Sequence, residues 1–226
     1  MENRNIKSFV RRSGRISVAQ KRSYENLSSV FCVSSTQPIN DYESVFGNSG
    51  PVVIEIGFGS GSATAKIAND NPNINYLGIE VFRAGIGKLL WEIEKRNLNN
   101  IRIIEGDAAE ILPGILPQEK AAGVHIFFPD PWPKKRHNKR RLVTVPFTSA
   151  LKNVLACGGY IYMVTDWDDY ADWAMTELCA TSGLINDYEG FAPAAAWRPE
   201  TRFEAKGLSK NHRIHELFFR RDMNGG

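Results

Sequence analysis

The stretch VVIEIGFGSGSATAKIAND, residues 52–70, decides how the fold is interpreted. Its first part, residues 52–57, is a short apolar run that ends in glycine, and residues 62–70 have the composition of a helix. Near-continuous apolar runs of this length are typical of strands that are buried on both faces of a parallel sheet. The stretch therefore predicts a strand, a glycine-rich turn and a helix.

The same alternation of strand and helix continues along the chain. Further strands are predicted at 75–80, 101–107, 124–128 and 158–166, and helices at 83–97, 108–117, 143–156 and 170–183. Two more strands are expected near 186–191 and 213–220. This order predicts an α/β fold with a doubly wound, mostly parallel sheet of about seven strands and helices on both faces. Residues 51–221 are expected to form one domain, and residues 1–50 a basic, partly flexible arm and lead-in.

Positive charge is unevenly distributed in this chain of 226 residues and net charge +3. Residues 1–22 contain seven Lys or Arg and one acid, and residues 134–141 contain six and no acid. Such clusters indicate a polyanionic partner, although a solvated tail and a solvated loop are the alternative. No apolar run approaches about 18 residues, so no membrane span is expected. Three scattered cysteines without metal-type spacing indicate free thiols in a reducing cytoplasm.

An acidic residue stands at or near the end of each of the first five predicted strands. These residues are Glu55, Glu80, Asp107, Asp130 and Asp166. In doubly wound sheets, ligands bind beyond the carboxyl ends of the strands, where the strand order reverses. Any one of these acids could instead cap a helix. Five acids at one edge are harder to assign to capping, so we expect a binding site there.

The glycine spacing distinguishes two classes of nucleotide-like ligand. The glycines of the first turn follow the pattern G-x-G-x-G: Gly57, Gly59 and Gly61. A dinucleotide site would show G-x-G-x-x-G around a pyrophosphate, next to which Glu55 is poorly suited. Glu55 suits the cationic end of S-adenosylmethionine. Glu80 could accept hydrogen bonds from both ribose hydroxyls, and Asp107 could accept one from the adenine amino group. The combination predicts a Rossmann-like methyltransferase fold, with an NAD-dependent dehydrogenase as the alternative.

Several segments of the chain resemble the bacterial tRNA (guanine-N7-)-methyltransferases. They are EIGFGSG (55–61), LGIEV (77–81), EGDA (105–108), FFPDPWPKKRHNKRR (127–141), TDW (165–167), TRFEAKG (201–207) and HELFFRR (215–221). Residues 1–50 match no motif of the family. The resemblance implies a class I methyltransferase fold that uses S-adenosylmethionine to methylate N7 of the guanosine at position 46, in the variable loop of tRNA. It also implies a cytoplasmic monomer or homodimer that requires no protein partner.

The resemblance also implies roles for individual residues. Asp130 corresponds to the catalytic acid and is expected to border the cofactor as well. The implied substrate-binding residues are Lys134, Arg136, His137, Asn138, Lys139, Arg140, Arg141, Asp166, Thr201, Arg202, Phe203 and Glu204. For residues 201–204 the alternative is a helix or strand cap with a buried phenylalanine. For Trp132 the alternatives are stacking on the target base, forming a wall of the pocket, and a core position under the loop.

Guanine chemistry is consistent with a carboxylate in this position. N7 has an in-plane lone pair and no proton, so methylation requires positioning rather than proton abstraction. Asp130 could favour the positive charge that develops on the purine and accept hydrogen bonds from N1–H and the 2-amino group. Pro129 and Pro131 restrict the backbone on either side of Asp130.

Two other classes of function remain open at this point. A methyltransferase for another RNA, a protein or a small molecule is possible in principle, although the basic loop argues against a small molecule. A non-catalytic RNA-binding subunit could retain the fold, but it would tolerate loss of the cofactor-site acids and glycines, which are all present. The basic arm, with Arg11, Arg12 and Arg15, is a further candidate tRNA contact on the basis of charge alone.

Overall fold

The structure is a computed structural model that describes residues 7–9 and 16–223. Eight strands form one sheet: β1 Cys32–Val33, β2 Val52–Ile56, β3 Asn75–Glu80, β4 Ile101–Glu105, β5 Ala121–Phe127, β6 Leu155–Thr165, β7 Leu184–Asn186 and β8 His215–Arg221. Their order is β1-β4-β3-β2-β5-β6-β8-β7. Strands β1 to β6 pair in parallel, whereas β8 is antiparallel to both β6 and β7. The predicted doubly wound, mostly parallel sheet is confirmed.

Helices lie on both faces of this sheet. They are α1 Val18–Phe31, α2 Glu43–Phe46, α3 Ser62–Asp70, α4 Arg83–Arg96, α5 Ala108–Ile111, α6 Val145–Val154, α7 Asp168–Cys179 and α8 Arg202–Leu208, with a 3-10 helix at Lys135–Arg140. Within the described ranges, none is long and apolar enough to cross a membrane. The predicted helix 108–117 is shorter than expected, because Pro113 and Gly114 follow immediately and both residues interrupt helices.

Successive residues of the central strands enter two different cores. Val53 and Tyr76 pack with the apolar residues of α3 and α4. Their neighbours Ile54 and Leu77 pack with those of α6 and α7 on the opposite face. Because side chains alternate along a strand, an uninterrupted apolar run such as VVI satisfies both cores at once.

Helix α1 lies in the region that the sequence indicated as a partly flexible lead-in. It begins with a capping box, in which the Ser17 side chain accepts from the amide of Gln20 and the Gln20 side chain accepts from the amide of Ser17. The helix packs so closely on α4 that a Cβ atom on Gly87 would lie 2.5 Å from the Gln20 carbonyl oxygen. Residues 18–31 therefore form a helix that packs against the domain.

Candidate active site

The glycine loop between β2 and α3 contains three residues with left-handed backbone. The φ angles are 72° at Gly57, 59° at Gly59 and 68° at Gly61. A Cβ atom at Gly61 would lie 2.6 Å from the Leu89 side chain, whereas added Cβ atoms at Gly57 and Gly59 would meet nothing within 4 Å in the described chain. Gly61 is thus required for packing on α4, and the other two glycines border open space where a ligand can approach the backbone.

Glu55 is a buried carboxylate at the base of this loop. The residue is 2% exposed, and its Oε2 has no hydrogen-bond partner among the residues that the structure describes. Burial raises the pKa of Glu55 to about 7, and the neighbouring Glu80 adds to the rise while Thr64 acts in the opposite direction. A buried carboxylate oxygen without a partner is costly, so this site favours a ligand that brings a positive charge or a donor.

Glu80 connects the end of β3 to the glycine loop. Its Oε2 accepts the amide of Gly59 at 2.8 Å, and its Oε1 accepts the amides of Val81 and Phe82 at 2.7 and 2.9 Å. A carboxylate offers about four acceptor positions, so one position, on Oε2, remains. In this conformation that position is open to a ribose hydroxyl. The carboxylate also holds the loop in place.

The acids at the next two strand ends differ in what they bind. Asp107 is the N-cap of α5, where its Oδ1 accepts the amide of Ala109 at 3.1 Å, and burial raises its pKa. The capping alternative therefore holds for Asp107, and a contact with an adenine amino group would use its other oxygen. Asp130 is half-exposed, and its charge contributes to the raised pKa of Glu80, of which burial is the largest cause. Asp130 thus lies within electrostatic reach of the loop around Glu80.

The Asp130 loop has an unusual backbone. Phe128 and Trp132, which flank Pro129 to Pro131, have φ angles of 50° and 46°. Bulky residues rarely adopt left-handed conformations, and such strain is concentrated at functional sites. The amide of Phe128 donates to the Val164 carbonyl at 2.8 Å, which ties the start of the loop to β6. The start of the loop is therefore anchored to the sheet.

Residues 7–9 of the amino-terminal arm contact this loop. The Trp132 Nε1 donates to the Ser8 carbonyl at 2.8 Å, and the Arg140 Nε donates to the Lys7 carbonyl at 3.1 Å. The Arg140 guanidinium lies 4.0 Å from the centre of the Trp132 ring. Trp132 is half-exposed rather than a core side chain, and Arg140 covers one of its faces. Arg11, Arg12 and Arg15 lie outside the described residues.

The basic segment after the loop divides into exposed and inward-facing side chains. Lys134, Lys135, Arg136 and Lys139 are exposed. Asn138, with its amide oriented to satisfy both partners, donates to the carbonyls of Trp132 and Lys134, so it supports the turn. Slight desolvation and the surrounding cations lower the pKa of His137.

Arg141 differs from the expectation that it contacts RNA. Its side chain is fully buried, and it donates from Nε to the Pro131 carbonyl at 3.1 Å. The guanidinium also forms an ion pair with Asp169 and lies 5.2 Å from the ring centres of Tyr170 and Trp173. A side chain in this position is inaccessible to a phosphate group, so the predicted RNA contact at Arg141 is wrong in this conformation.

The remaining predicted substrate residues lie around the end of β6. Asp166 Oδ2 is 3.0 Å from His212 Nδ1, and it also packs closely on Gly207 of α8. Thr201 caps α8 through a capping box with Glu204. Arg202 and Phe203 are exposed, Phe203 by 55%. Residues 201–204 therefore form the helix cap that was the alternative interpretation. Phe203, which that alternative expected to be buried, is exposed.

Arg198 and Glu216 form a network that the sequence did not indicate. Arg198, with a side chain 4% exposed, donates to both oxygens of Glu204 at 2.5 and 2.8 Å and to Glu216 Oε1 at 2.8 Å. Its Nε donates to the Tyr162 hydroxyl at 3.2 Å, and that hydroxyl donates to Glu216. The ion pairs join α8 to β8 and hold the pKa of Glu204 below its usual range despite burial.

The fold and the glycine loop together define a methyltransferase. A family model described as "Putative methyltransferase" matches residues 49–217. Among solved structures, the 16S rRNA methyltransferase KamB is similar with a TM-score of 0.60 and 14% identity, over 80% of this chain and 92% of that one. A geranyl diphosphate C-methyltransferase from Streptomyces coelicolor, solved with S-adenosyl-L-homocysteine, is similar with a TM-score of 0.52 and 10% identity. The match covers 78% of this chain and 72% of that one. At these identities the similarity establishes the fold alone.

Sequence relatives narrow this class further. The tRNA (guanine-N(7)-)-methyltransferase of Treponema pallidum (strain Nichols) is 45% identical over 96% of both chains. The protein of the same name from Dechloromonas aromatica (strain RCB) is 46% identical over 96% of this chain and 88% of its own length. The chain belongs to the tRNA (guanine-N(7)-)-methyltransferase family.

Proposed function

We propose that this protein transfers a methyl group from S-adenosylmethionine to N7 of a guanosine in tRNA, at position 46 of the variable loop. The observation that carries the proposal is one arrangement at the carboxyl edge of the sheet. Glu55, which is buried and has one carboxylate oxygen without a partner among the described residues, lies below an open glycine loop, and the strained Asp130 loop beside it leads into an exposed basic segment.

The residues around the glycine loop fit S-adenosylmethionine. Glu55 offers an acceptor without a partner in the described chain to the ligand's ammonium group. Glu80 retains one acceptor position for a ribose hydroxyl, and Asp107 lies at the next strand end for the adenine. Gly57 and Gly59 leave the loop backbone open to the ligand. These carboxylates and the open loop are suited to a ligand that combines a cation with a nucleoside. None of the residues named here carries a positive charge that would bind a pyrophosphate.

When bound, S-adenosylmethionine supplies an electrophilic methyl group that the guanine N7 lone pair can attack directly. Asp130 therefore acts without removing a proton from the nucleophile. Its carboxylate accepts hydrogen bonds from N1–H and the 2-amino group of guanine and stabilises the positive charge that the purine gains. The left-handed residues on either side, Phe128 and Trp132, restrict where this carboxylate can lie. Restricting its position supplies the orientation on which a direct displacement depends.

Two groups of exposed cations support tRNA as the partner. The first is Lys134, Lys135, Arg136 and Lys139 after the Asp130 loop. The second lies on and after α8 and comprises Arg202, Lys206, Lys210 and Arg213. The only acid between residues 202 and 213 is Glu204, which is buried and paired with Arg198. Such surfaces position a nucleic acid through its phosphates without reading its sequence.

We further propose that residues 51–221 form the catalytic domain and act in the cytoplasm as a monomer or homodimer without a protein partner. A non-catalytic RNA-binding subunit is the second candidate function. The raised pKa and the unpartnered oxygen of Glu55 disfavour it, because a subunit without a cofactor gains nothing from a buried carboxylate at this position.

The proposal is tested by identifying the methylated nucleoside. Unmodified tRNA is incubated with the enzyme and S-adenosylmethionine carrying a labelled methyl group, and the product is digested to nucleosides. A matched transcript carries 7-deazaguanosine at position 46, where a CH group replaces N7. We expect label in 7-methylguanosine with the first tRNA and no label at position 46 with the second. Label in another nucleoside, or equal label in both transcripts, would overturn the proposal.

A further inference from the structure

Arg141 is placed differently from the other cations of the basic segment. It follows the 3-10 helix Lys135–Arg140, and its amide donates to the Asn138 carbonyl at 2.9 Å. The backbone therefore turns inward at this residue, and the side chain enters the protein between the Asp130 loop and α7. There it is fully buried.

The Arg141 side chain contacts Pro131, the residue that follows Asp130. Its Nε donates to the Pro131 carbonyl at 3.1 Å, and its remaining nitrogens contact the Asp169 carboxylate and, at 3.5 Å, the Asp169 carbonyl. Asp169 lies in the first turn of α7. One guanidinium thus joins the loop that carries Asp130 to a helix of the central core.

Tyr170 provides a second link between these groups. The Arg141 guanidinium lies 5.2 Å from the centre of its ring, and its hydroxyl accepts the amide of Val143 at 3.3 Å. Burial raises the pKa of Tyr170, and the charge of Asp130 adds to that rise. The fully buried Tyr170 therefore contacts Arg141 and lies within electrostatic reach of Asp130.

We infer that Arg141 is a positioning residue for Asp130 and not a tRNA contact; this inference rests on the proposed function. The loop residues Phe128 and Trp132 are left-handed, and such backbone persists only where neighbouring groups hold it. Arg141 holds the carbonyl between Asp130 and Trp132. A lysine could keep the charge, but it has no second nitrogen in a fixed plane to bond Pro131 and Asp169 together.

The test compares Arg141→Lys with Lys139→Ala, which removes an exposed cation two residues away. Three quantities are measured for each variant and for the wild type: the single-turnover rate of methyl transfer at saturating tRNA, the Kd for tRNA at several salt concentrations, and the thermal melting temperature. A fourth readout, independent of activity, is the ¹⁹F spectrum of the protein labelled with 5-fluorotryptophan, in which the Trp132 signal is assigned by substitution.

We expect Arg141→Lys to lower the single-turnover rate roughly ten- to a hundredfold, because small displacements of a catalytic group are costly. Its Kd for tRNA should stay within about twofold of the wild type with an unchanged salt slope. Its Trp132 signal should shift or broaden. Lys139→Ala should instead weaken the Kd and reduce the salt slope. A wild-type rate together with an unchanged Trp132 signal for Arg141→Lys would overturn the inference, whatever its Kd for tRNA.

Asp169→Ala tests the inference if Arg141→Lys does not fold. The Asp169 side chain is 68% exposed, so its removal opens no cavity, but it leaves the buried Arg141 guanidinium without its carboxylate partner, and the melting temperature is therefore recorded alongside the rate. We expect a rate at least about threefold lower with no loss of tRNA affinity, and a rate equal to that of the wild type would contradict the inference. Failure of the proposed function is recognised separately, because the wild type would then form no 7-methylguanosine.

Discussion

The protonation state of Glu55 makes cofactor affinity dependent on pH. Burial raises the pKa of this carboxyl from an ordinary value of 4.5 to about 7, which corresponds to a preference of about 3 kcal/mol for the protonated form. A cationic amino group binds the carboxylate and not the neutral acid. Ligand binding must therefore release the proton from Glu55 whenever the pH is below 7.

The size of the effect follows from this pKa. With a pKa of about 7, the ionised fraction of Glu55 rises from about 3% at pH 5.5 to about 50% at pH 7.0. The affinity for S-adenosylhomocysteine, which carries the same amino group, should therefore increase about 15-fold across this range. The amino group itself remains protonated there, since ordinary α-amino pKa values are about 8.

Isothermal titration calorimetry at intervals between pH 5.5 and 7.0, in buffers of different ionisation enthalpy, measures both the affinity and the proton release. Glu55→Gln is the matched control, because it keeps the shape of the side chain but cannot ionise. Its affinity should be lower than that of the wild type at pH 7.0 and constant across the range. A constant affinity in the wild type, or the same pH slope in Glu55→Gln, would refute the reasoning.

The same group affects the stability of the protein without ligand. The folded protein keeps the Glu55 proton up to a higher pH than the unfolded chain, so the unfolded state binds fewer protons between about pH 4.5 and 7. The contribution of Glu55 to the free energy of unfolding should therefore fall as the pH rises through this range, by up to about 3 kcal/mol. In Glu55→Gln this part of the pH dependence should be absent when the free energy of unfolding is measured as a function of pH.

Three further predictions concern the loop, the ion network and the basic segment. Gly61→Ala should lower the free energy of unfolding by about 2–4 kcal/mol, because the residue is left-handed and Leu89 fills the space where a Cβ atom would lie. The exposed Gly114→Ala should change this free energy by less than about 1 kcal/mol. Equal effects of the two substitutions in urea titrations would contradict the prediction. Arg198→Met should lower the free energy of unfolding by about 3–5 kcal/mol, because it leaves buried carboxylates unpaired. The exposed Arg202→Met should lower it by less than about 0.5 kcal/mol. A small loss of stability for Arg198→Met in the same titrations would contradict a stabilising role of the network. Arg136→Ala should reduce the slope of log Kd for tRNA against log salt by about 0.9, and an unchanged slope would exclude a phosphate contact.

The elements that carry the cofactor site could be predicted because their signals are local. The apolar run of β2, the glycines and the start of α3 lie within residues 52–70, and the structure places each of them where it was expected. Helix α1 has a weaker signal. Its packing residues Tyr24, Leu27 and Phe31 are few and lie among polar residues, although the capping box at Ser17 could have indicated its start.

The roles of individual charged residues depend on partners that are distant in sequence. Six cations follow the Asp130 loop, and composition cannot show that Arg141 turns inward, because its partner Asp169 lies 28 residues away. Arg198 was not singled out for the same reason, since Glu216 belongs to a later strand. Glu80 was correctly placed at a strand end, but three of its acceptor positions are taken by backbone amides, which only the local conformation reveals.

The most direct test of the central claim compares wild type with Asp130→Ala in methyl transfer to unmodified tRNA, with tRNA and cofactor binding measured in parallel. We expect 7-methylguanosine from the wild type and at least about a hundredfold lower single-turnover rate from the variant, with S-adenosylhomocysteine still bound. A variant that forms 7-methylguanosine at the wild-type rate would contradict the role assigned to Asp130. A wild-type enzyme that methylates a different nucleoside would contradict the proposed reaction itself.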